Sequence, residues 1–167
     1  MLKPKEKTTM TDDRFYPKEQ PYSAWDPECA AAFIAKWEGF REEAYQCAAG
    51  VWTIGFGHTG TVSEGDRITR EQAFGCLISD IRASMMGLAP FVNREVTMGQ
   101  FIALTSLAYN IGATNVVQKC PKLMAALNGY EDEECARQFL DIDKANGVRI
   151  EGLTKRRQAE ARMFLGK

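Results

Sequence analysis

The chain has 167 residues, 45% of them hydrophobic, which is enough to bury a real core and too little for several large domains. Its 21 basic residues nearly balance 22 acidic ones, and a net charge of −1 argues against nucleic acid as a partner, because phosphate backbones call for clustered cations. The longest apolar runs are far too short to cross a bilayer, so no membrane anchor is expected.

Residues 1–24 begin MLKPKEKTTMTDDRFYPKEQ and contain no apolar segment, so no signal peptide is expected and the stretch reads as a polar tail of disordered composition. Residues 25–167 are expected to form a single domain. Asp26-Pro27 predicts the start of a helix, because aspartate caps well and proline suits the first helical position. That helix reads ECAAAFIAKWE, with Ala32, Phe33, Ala35 and Trp37 on a partly apolar face, and Gly39 is expected to cap its end. From Gly50 to Thr61 the strand formers Val51, Trp52, Thr53, Ile54, Phe56 and Thr59 are interrupted by four glycines, which predicts a short hairpin. Residues 62–68 read as loop. Two capping boxes follow, Thr69 to Gln72 and Thr97 to Gln100, each opening a helix, the first toward Met85 and the second toward Gly112, with Pro90 between them. Further helices are predicted over 121–127, 131–140 and 154–164. The sum is an α+β fold of two lobes, a small β-lobe near the N-terminus and a helical lobe after it, with a ligand cleft between them.

The cysteines, Cys29, Cys47, Cys76, Cys120 and Cys135, are odd in number and contain no CxxC pair, which argues against a zinc site and against a complete disulfide framework. Reduced thiols and synthesis in a cytoplasm fit them best. His58 is the only histidine, which excludes most zinc hydrolases. No metal or cofactor is expected. The basic residues Lys155, Arg156, Arg157, Arg162 and Lys167, and the acidic group from Glu131 to Glu134, read as two solvated helix faces.

The densest chemistry lies in KWEGFREEAYQCAAGVWTIGFGHTG, residues 36–60. Glu38 falls at the unfavourable, negative end of the first helix, beside the hairpin. A partly desolvated carboxyl there has the character of a general acid. Taken singly, Glu38 reads as a surface residue, Cys47 as a small buried hydrophobe and Thr53 as a strand former.

Together they resemble the signature of phage-type lysozymes, the endolysins of glycoside hydrolase family 24. That family carries Glu, eight residues, Asp or Cys, five residues, then Thr, and Glu38, Cys47 and Thr53 match it without a gap. The T-I-G-x-G-H hairpin, ITREQA, AYNIG and GLTKRRQAEARMFL extend the likeness over residues 27–165. The resemblance implies a lysozyme-like domain, over residues 25–167, that cleaves the β-1,4 bond between N-acetylmuramic acid and N-acetylglucosamine in peptidoglycan. Glu38 would protonate the leaving oxygen, while Thr53 and Cys47 hold a water on the opposite face of the sugar. That is the inverting arrangement, with roughly 6.5–9.5 Å between the two sides. Cys47 in place of aspartate is expected to orient water or act as a partial thiolate. Arg156 would pair with Glu38, Asp80 would accept a proton from His58, and Tyr109 and Asn110 would line the substrate cleft. The resemblance also implies a monomer made without a signal peptide in a phage-infected cytoplasm, released to act on the wall in the periplasm. Two rival readings stand beside it. One is a cysteine peptidase or amidase with Cys47 as nucleophile and His58 as base. The other is a glycan-binding module of the same fold that does not cut.

Overall fold

The computed structural model describes residues 18–167; the tail expectation for residues 1–17 lies outside the described residues. Order begins before Asp26. Strand β1 (Gln20–Pro21) pairs antiparallel with Glu95–Val96, and a single 3-10 turn follows at Tyr22–Ala24. Tyr22 and Trp25 are each only 2% exposed. Tyr22 Oη and Thr105 Oγ1 share a hydrogen bond of 2.7 Å, and Trp25 Nε1 donates to Val96 O at 3.1 Å. The tail boundary expected at residue 24 is therefore corrected. Two aromatic side chains in YSAW, too few to register in a polar composition, bury enough area to dock the segment.

Helix α1 (Glu28–Trp37) starts as expected, with Asp26 Oδ1 accepting the Glu28 N–H at 2.9 Å. Its end differs. Glu38 takes an extended conformation (φ −91°, ψ 126°) and Gly39 does not adopt a positive φ, so no left-handed cap forms and the chain runs straight on into a strand.

That strand, β2 (Arg41–Gln46), pairs antiparallel with β3 (Trp52–Gly55), so the hairpin begins well before the expected residue 50. The sequence REEAYQ hides it, because no apolar residue alternates along it and most of it faces water. Its outer edge is held by the 62–68 loop. Ala44 N–H donates to Asp66 O, Ile68 N–H donates to Glu42 O, and Arg67 binds Glu42 and Glu43. Beyond β3, Ile54 and His58 exchange both backbone hydrogen bonds at 2.9 Å. The turn between them needs positive φ at Gly55 (64°) and Gly57 (88°), which only glycine adopts without strain.

Both capping boxes form. Thr69 and Gln72 open α2 (Arg70–Leu88) with reciprocal bonds of 3.1 and 2.9 Å, and Thr97 and Gln100 open α3 (Met98–Ile111) with bonds of 3.2 and 3.0 Å. Between them a 3-10 turn at Ala89–Phe91 carries Pro90, and β4 (Glu95–Val96) is the partner of β1. Gly112, at φ 89°, ends α3. An unexpected α4 (Ala113–Lys119) then precedes α5 (Pro121–Asn128) and α6 (Asp132–Phe139). A small hairpin of β5 (Lys144–Ala145) and β6 (Val148–Arg149) turns on Asn146 and Gly147, both at positive φ. The last helix, α7, is Glu151–Phe164.

The architecture is α+β: a β2–β3 lobe, a helical lobe, and α1 and α2 joining them. Helix α3 is the central post. Every residue from Phe101 to Ala108 is buried, and the helix packs against α1, α2, α4 and α7. A helix buried on all sides is held rigid by close packing, so α1 and α7 are braced on the same support. No helix among the described residues is long and apolar enough to cross a membrane.

Candidate active site

The abrupt end of α1 leaves the Glu38 side chain 23% exposed. From the far end of the chain, α7 brings Arg156 Nη1 to 2.7 Å from Glu38 Oε1. Arg156 is 4% exposed, and Arg157 beside it is fully buried, so the expectation of a solvated basic face is wrong for these two. The cause is tertiary: α7 lays this face on α3.

Glu38 lines a cleft of about 310 Å³ with Gly57, Thr59, Asp80, Ser84, Tyr109 and Asn110. Three elements converge there: the turn after β3, the middle of α2 and the last turn of α3. A β-carbon on Gly57 would lie 3.8 Å from Glu38 Oε2 and 3.9 Å from Tyr109 Oη, so any side chain at this turn would point at the carboxyl group. Tyr109 Oη donates to Phe56 O at 2.9 Å, tying α3 to that turn. Burial pushes the Tyr109 phenol well above its ordinary value, and the negative charges of Glu38 and Asp80 push it further, so it stays a neutral donor. Asn110 Oδ1 is buried with no partner among the described residues, an acceptor on the cleft wall.

His58 Nδ1 lies 2.8 Å from Asp80 Oδ2, which pins the β-lobe turn to α2. The imidazole is thus occupied by a carboxylate and lies on the hairpin as a strut.

Cys47 and Thr53 form a second group, on the β2–β3 hairpin, and neither is among the residues lining the cleft. Thr53 is 4% exposed, and its hydroxyl donates to Val51 O at 3.0 Å. The Cys47 thiol is held below its ordinary value, first by the backbone N–H groups of Val51 and Ala49, with a smaller contribution from the Thr53 hydroxyl. One hydroxyl proton cannot serve Val51 O and the sulfur together, so Thr53 chooses between them according to the charge on sulfur. His58 is not among the hydrogen-bonding partners of Cys47, so the nucleophile–base contact of a cysteine peptidase is not formed.

Sequence reasoning missed Glu160. It is fully buried behind Arg156, with Arg156 Nε at 3.2 Å and Ser106 Oγ at 2.6 Å from its Oε1. The spacing of RRQAE, four residues from Arg156 and three from Arg157 to the glutamate, was the available clue. The described residues contain no group of three or more His, Cys, Asp or Glu placed to hold a metal ion. A larger hollow of about 400 Å³ lies elsewhere, between the β1 segment and the loop before β4. It contains none of the residues above, and its Arg94 is already tied to Asp132 at 2.6 Å, so the smaller cleft is the better candidate.

The profile of the family described as "Phage lysozyme" matches residues 35–160. An endolysin of Acyrthosiphon pisum secondary endosymbiont phage 1 is 39% identical over 141 residues, covering 82% of this chain and 95% of that protein. An endolysin of Bacillus phage B103 is 35% identical over 135 residues, or 79% of this chain, but the match spans only 51% of that longer protein. Among solved structures, the muramidase domain of SpmX from Asticaccaulis excentricus superposes with a TM-score of 0.76 at 31% identity, covering 81% of this chain and 94% of that one.

Proposed function

The chain belongs to the phage lysozyme family, and on that premise we propose that it is a muramidase that hydrolyses the β-1,4 bond between N-acetylmuramic acid and N-acetylglucosamine in peptidoglycan, with Glu38 as the general acid. The observation that carries this reading is the Glu38 carboxyl on the wall of the cleft, backed at 2.7 Å by Arg156.

A glycan strand lying in the cleft displaces water from Glu38. Desolvation favours the neutral acid, and Glu38 passes its proton to the glycosidic oxygen as that bond breaks. The sugar left behind develops oxocarbenium character. Arg156 then sits beside a carboxylate and stabilises it. This reading requires the β2–β3 hairpin, which carries Thr53 and Cys47 outside the cleft lining, to border the other face of the sugar, where the two would hold the attacking water. Held below its ordinary value, the thiol supplies a thiolate fraction that takes the water's proton. Attack from the face opposite the leaving group inverts the anomeric centre. Asn110 and Tyr109 line the cleft, where Tyr109 packs against a sugar ring. The biological role that fits is an endolysin, acting on the wall after release from the cell that made it.

The test is product chemistry on purified peptidoglycan with the reduced protein. New reducing ends without new amino groups support the muramidase. New amino groups would instead mark an amidase or peptidase, and binding with neither product would mark a module that does not cut.

A further inference from the structure

Behind the Glu38–Arg156 pair stands a carboxylate that faces no part of the cleft. Glu160 and Arg157 are both 0% exposed. Glu160 Oε1 accepts from Ser106 Oγ at 2.6 Å, from Arg157 Nη2 at 2.8 Å and from Arg156 Nε at 3.2 Å. Its Oε2 lies 2.7 Å from Arg157 Nε, off the hydrogen-bonding direction, so that contact is Coulombic. Arg156 Nη2 donates to Ser106 O at 3.3 Å and to Ser106 Oγ at 3.2 Å. Only Nη1 is left to reach Glu38.

Stability alone is a weak reason for such a cluster. Taking ions out of water is costly, and buried ion pairs often give way to apolar residues at no loss. What the cluster does achieve is geometric and electrostatic: one guanidinium is shared between two carboxylates, and each of its nitrogens has a fixed partner. Building on the reading of Glu38 as the proton donor, we propose that Glu160 is a positioning residue for that donor. It fixes the orientation of Arg156 and offsets the charge of the two arginines that stand behind Glu38.

The surroundings leave these charges in control. Tyr109 and Asp80 face Glu38 from α3 and α2, and Cys120 faces Arg157 from the α4–α5 junction. Tyr109 and Cys120 are both pushed up, chiefly by burial, and are uncharged at neutral pH. Asp80 is hydrogen-bonded to His58 Nδ1 at 2.8 Å. With Glu160 ionised, Arg156 and Arg157 present one net positive charge to Glu38. Glu160→Gln raises this to two, and Arg157→Gln lowers it to none. Replacing both restores one.

The experiment is the pH profile of kcat/KM for reducing-end release by four proteins: the parent, Glu160→Gln, Arg157→Gln and the double variant. The limb that follows the ionisation of Glu38 is expected to move down by about one pH unit in Glu160→Gln and up by a similar amount in Arg157→Gln. In the double variant it is expected to return near the parent's position. Limb positions do not depend on the fraction folded, and if Glu160→Gln does not fold, Arg157→Gln and the double variant carry the test. Unmoved limbs, or limbs that move in the same direction in both single variants, overturn the proposal. Glu38→Gln is assayed alongside. If it remains active, the reading of Glu38 fails and this inference fails with it; if it is inactive and the limbs are unmoved, only the role of Glu160 fails.

Discussion

Arg156 Nη1 and Glu38 Oε1 stand 2.7 Å apart across 118 positions of sequence. The pair joins the last helix to the end of the first, and the guanidinium that makes it also binds Ser106 and Glu160. A lysine has one compact ammonium and cannot meet the three partners in that fixed geometry. Arg156→Lys should therefore lower kcat/KM by about tenfold or more per folded molecule, the equivalent of about 1.4 kcal/mol of transition-state stabilisation. Initial rates of reducing-end release check this, and parental rates would show that the fork geometry is dispensable.

Cys47 should be the most reactive thiol of the five. It is half-buried, and backbone N–H groups hold it below the ordinary thiol value, whereas Cys120 and Cys135 are buried and pushed up. Iodoacetamide should label Cys47 first, with its half-maximal rate at a lower pH than for a free cysteine, and lysis should fall as labelling proceeds. Cys47→Asp should keep activity within about tenfold, because a carboxylate also holds water and supplies charge. Peptide mapping by mass spectrometry identifies the labelled residue. First labelling elsewhere, or full activity after Cys47 is blocked, would contradict its assignment.

Cys135 makes alkaline stability measurable. Burial, with the Asp132 charge adding to it, pushes its thiol up to about 12. The folded protein keeps this proton to about that pH, while the unfolded chain loses it near pH 8.5. The stability linked to the neutral thiol is thus complete below about pH 8.5 and is lost as pH rises toward 12, at a slope of about 1.4 kcal/mol per pH unit. Urea midpoints between pH 8 and 11 for the parent and Cys135→Ala should converge as pH rises. Parallel curves would contradict the assignment.

Two glycines should respond in opposite senses to alanine. Gly55 has φ 64°, and a β-carbon there would meet Ala73 Cβ at 2.9 Å. Gly55→Ala should destabilise by about 1–3 kcal/mol. Gly152 lies in the first turn of α7 with nothing within 4 Å of its would-be β-carbon, and Gly152→Ala should stabilise by about 0.4–1 kcal/mol. Thermal melts compare both directly.

Local chemistry was legible in the sequence. The boxes at Thr69 and Thr97, the cap at Asp26, the glycine turn after Ile54 and the α+β class all follow from signals that lie within a few residues of each other. What was hidden depends on distant partners. Strand β2 is charged and gets its edge from Arg67 and Asp66, about two dozen residues on. Tyr22 and Trp25 matter because Phe101 waits for them. Helix α4 is short and rich in β-branched residues, so periodicity does not announce it. The site divides the same way. Resemblance pointed to Glu38, Cys47, Thr53 and Arg156, whereas Arg157 read as a solvated charge and Glu160 drew no reading until α7 is laid on α3.

The central claim, that Glu38 donates the proton that breaks a glycosidic bond, is tested most directly by reducing-end release from purified peptidoglycan by Glu38→Gln. The amide keeps the size of the side chain and can still face Arg156 through its carbonyl oxygen, but has no acidic proton to give. The account predicts a rate at least about 10²-fold below the parent's with an unchanged melting temperature; a folded Glu38→Gln protein that releases reducing ends at the parental rate would contradict it.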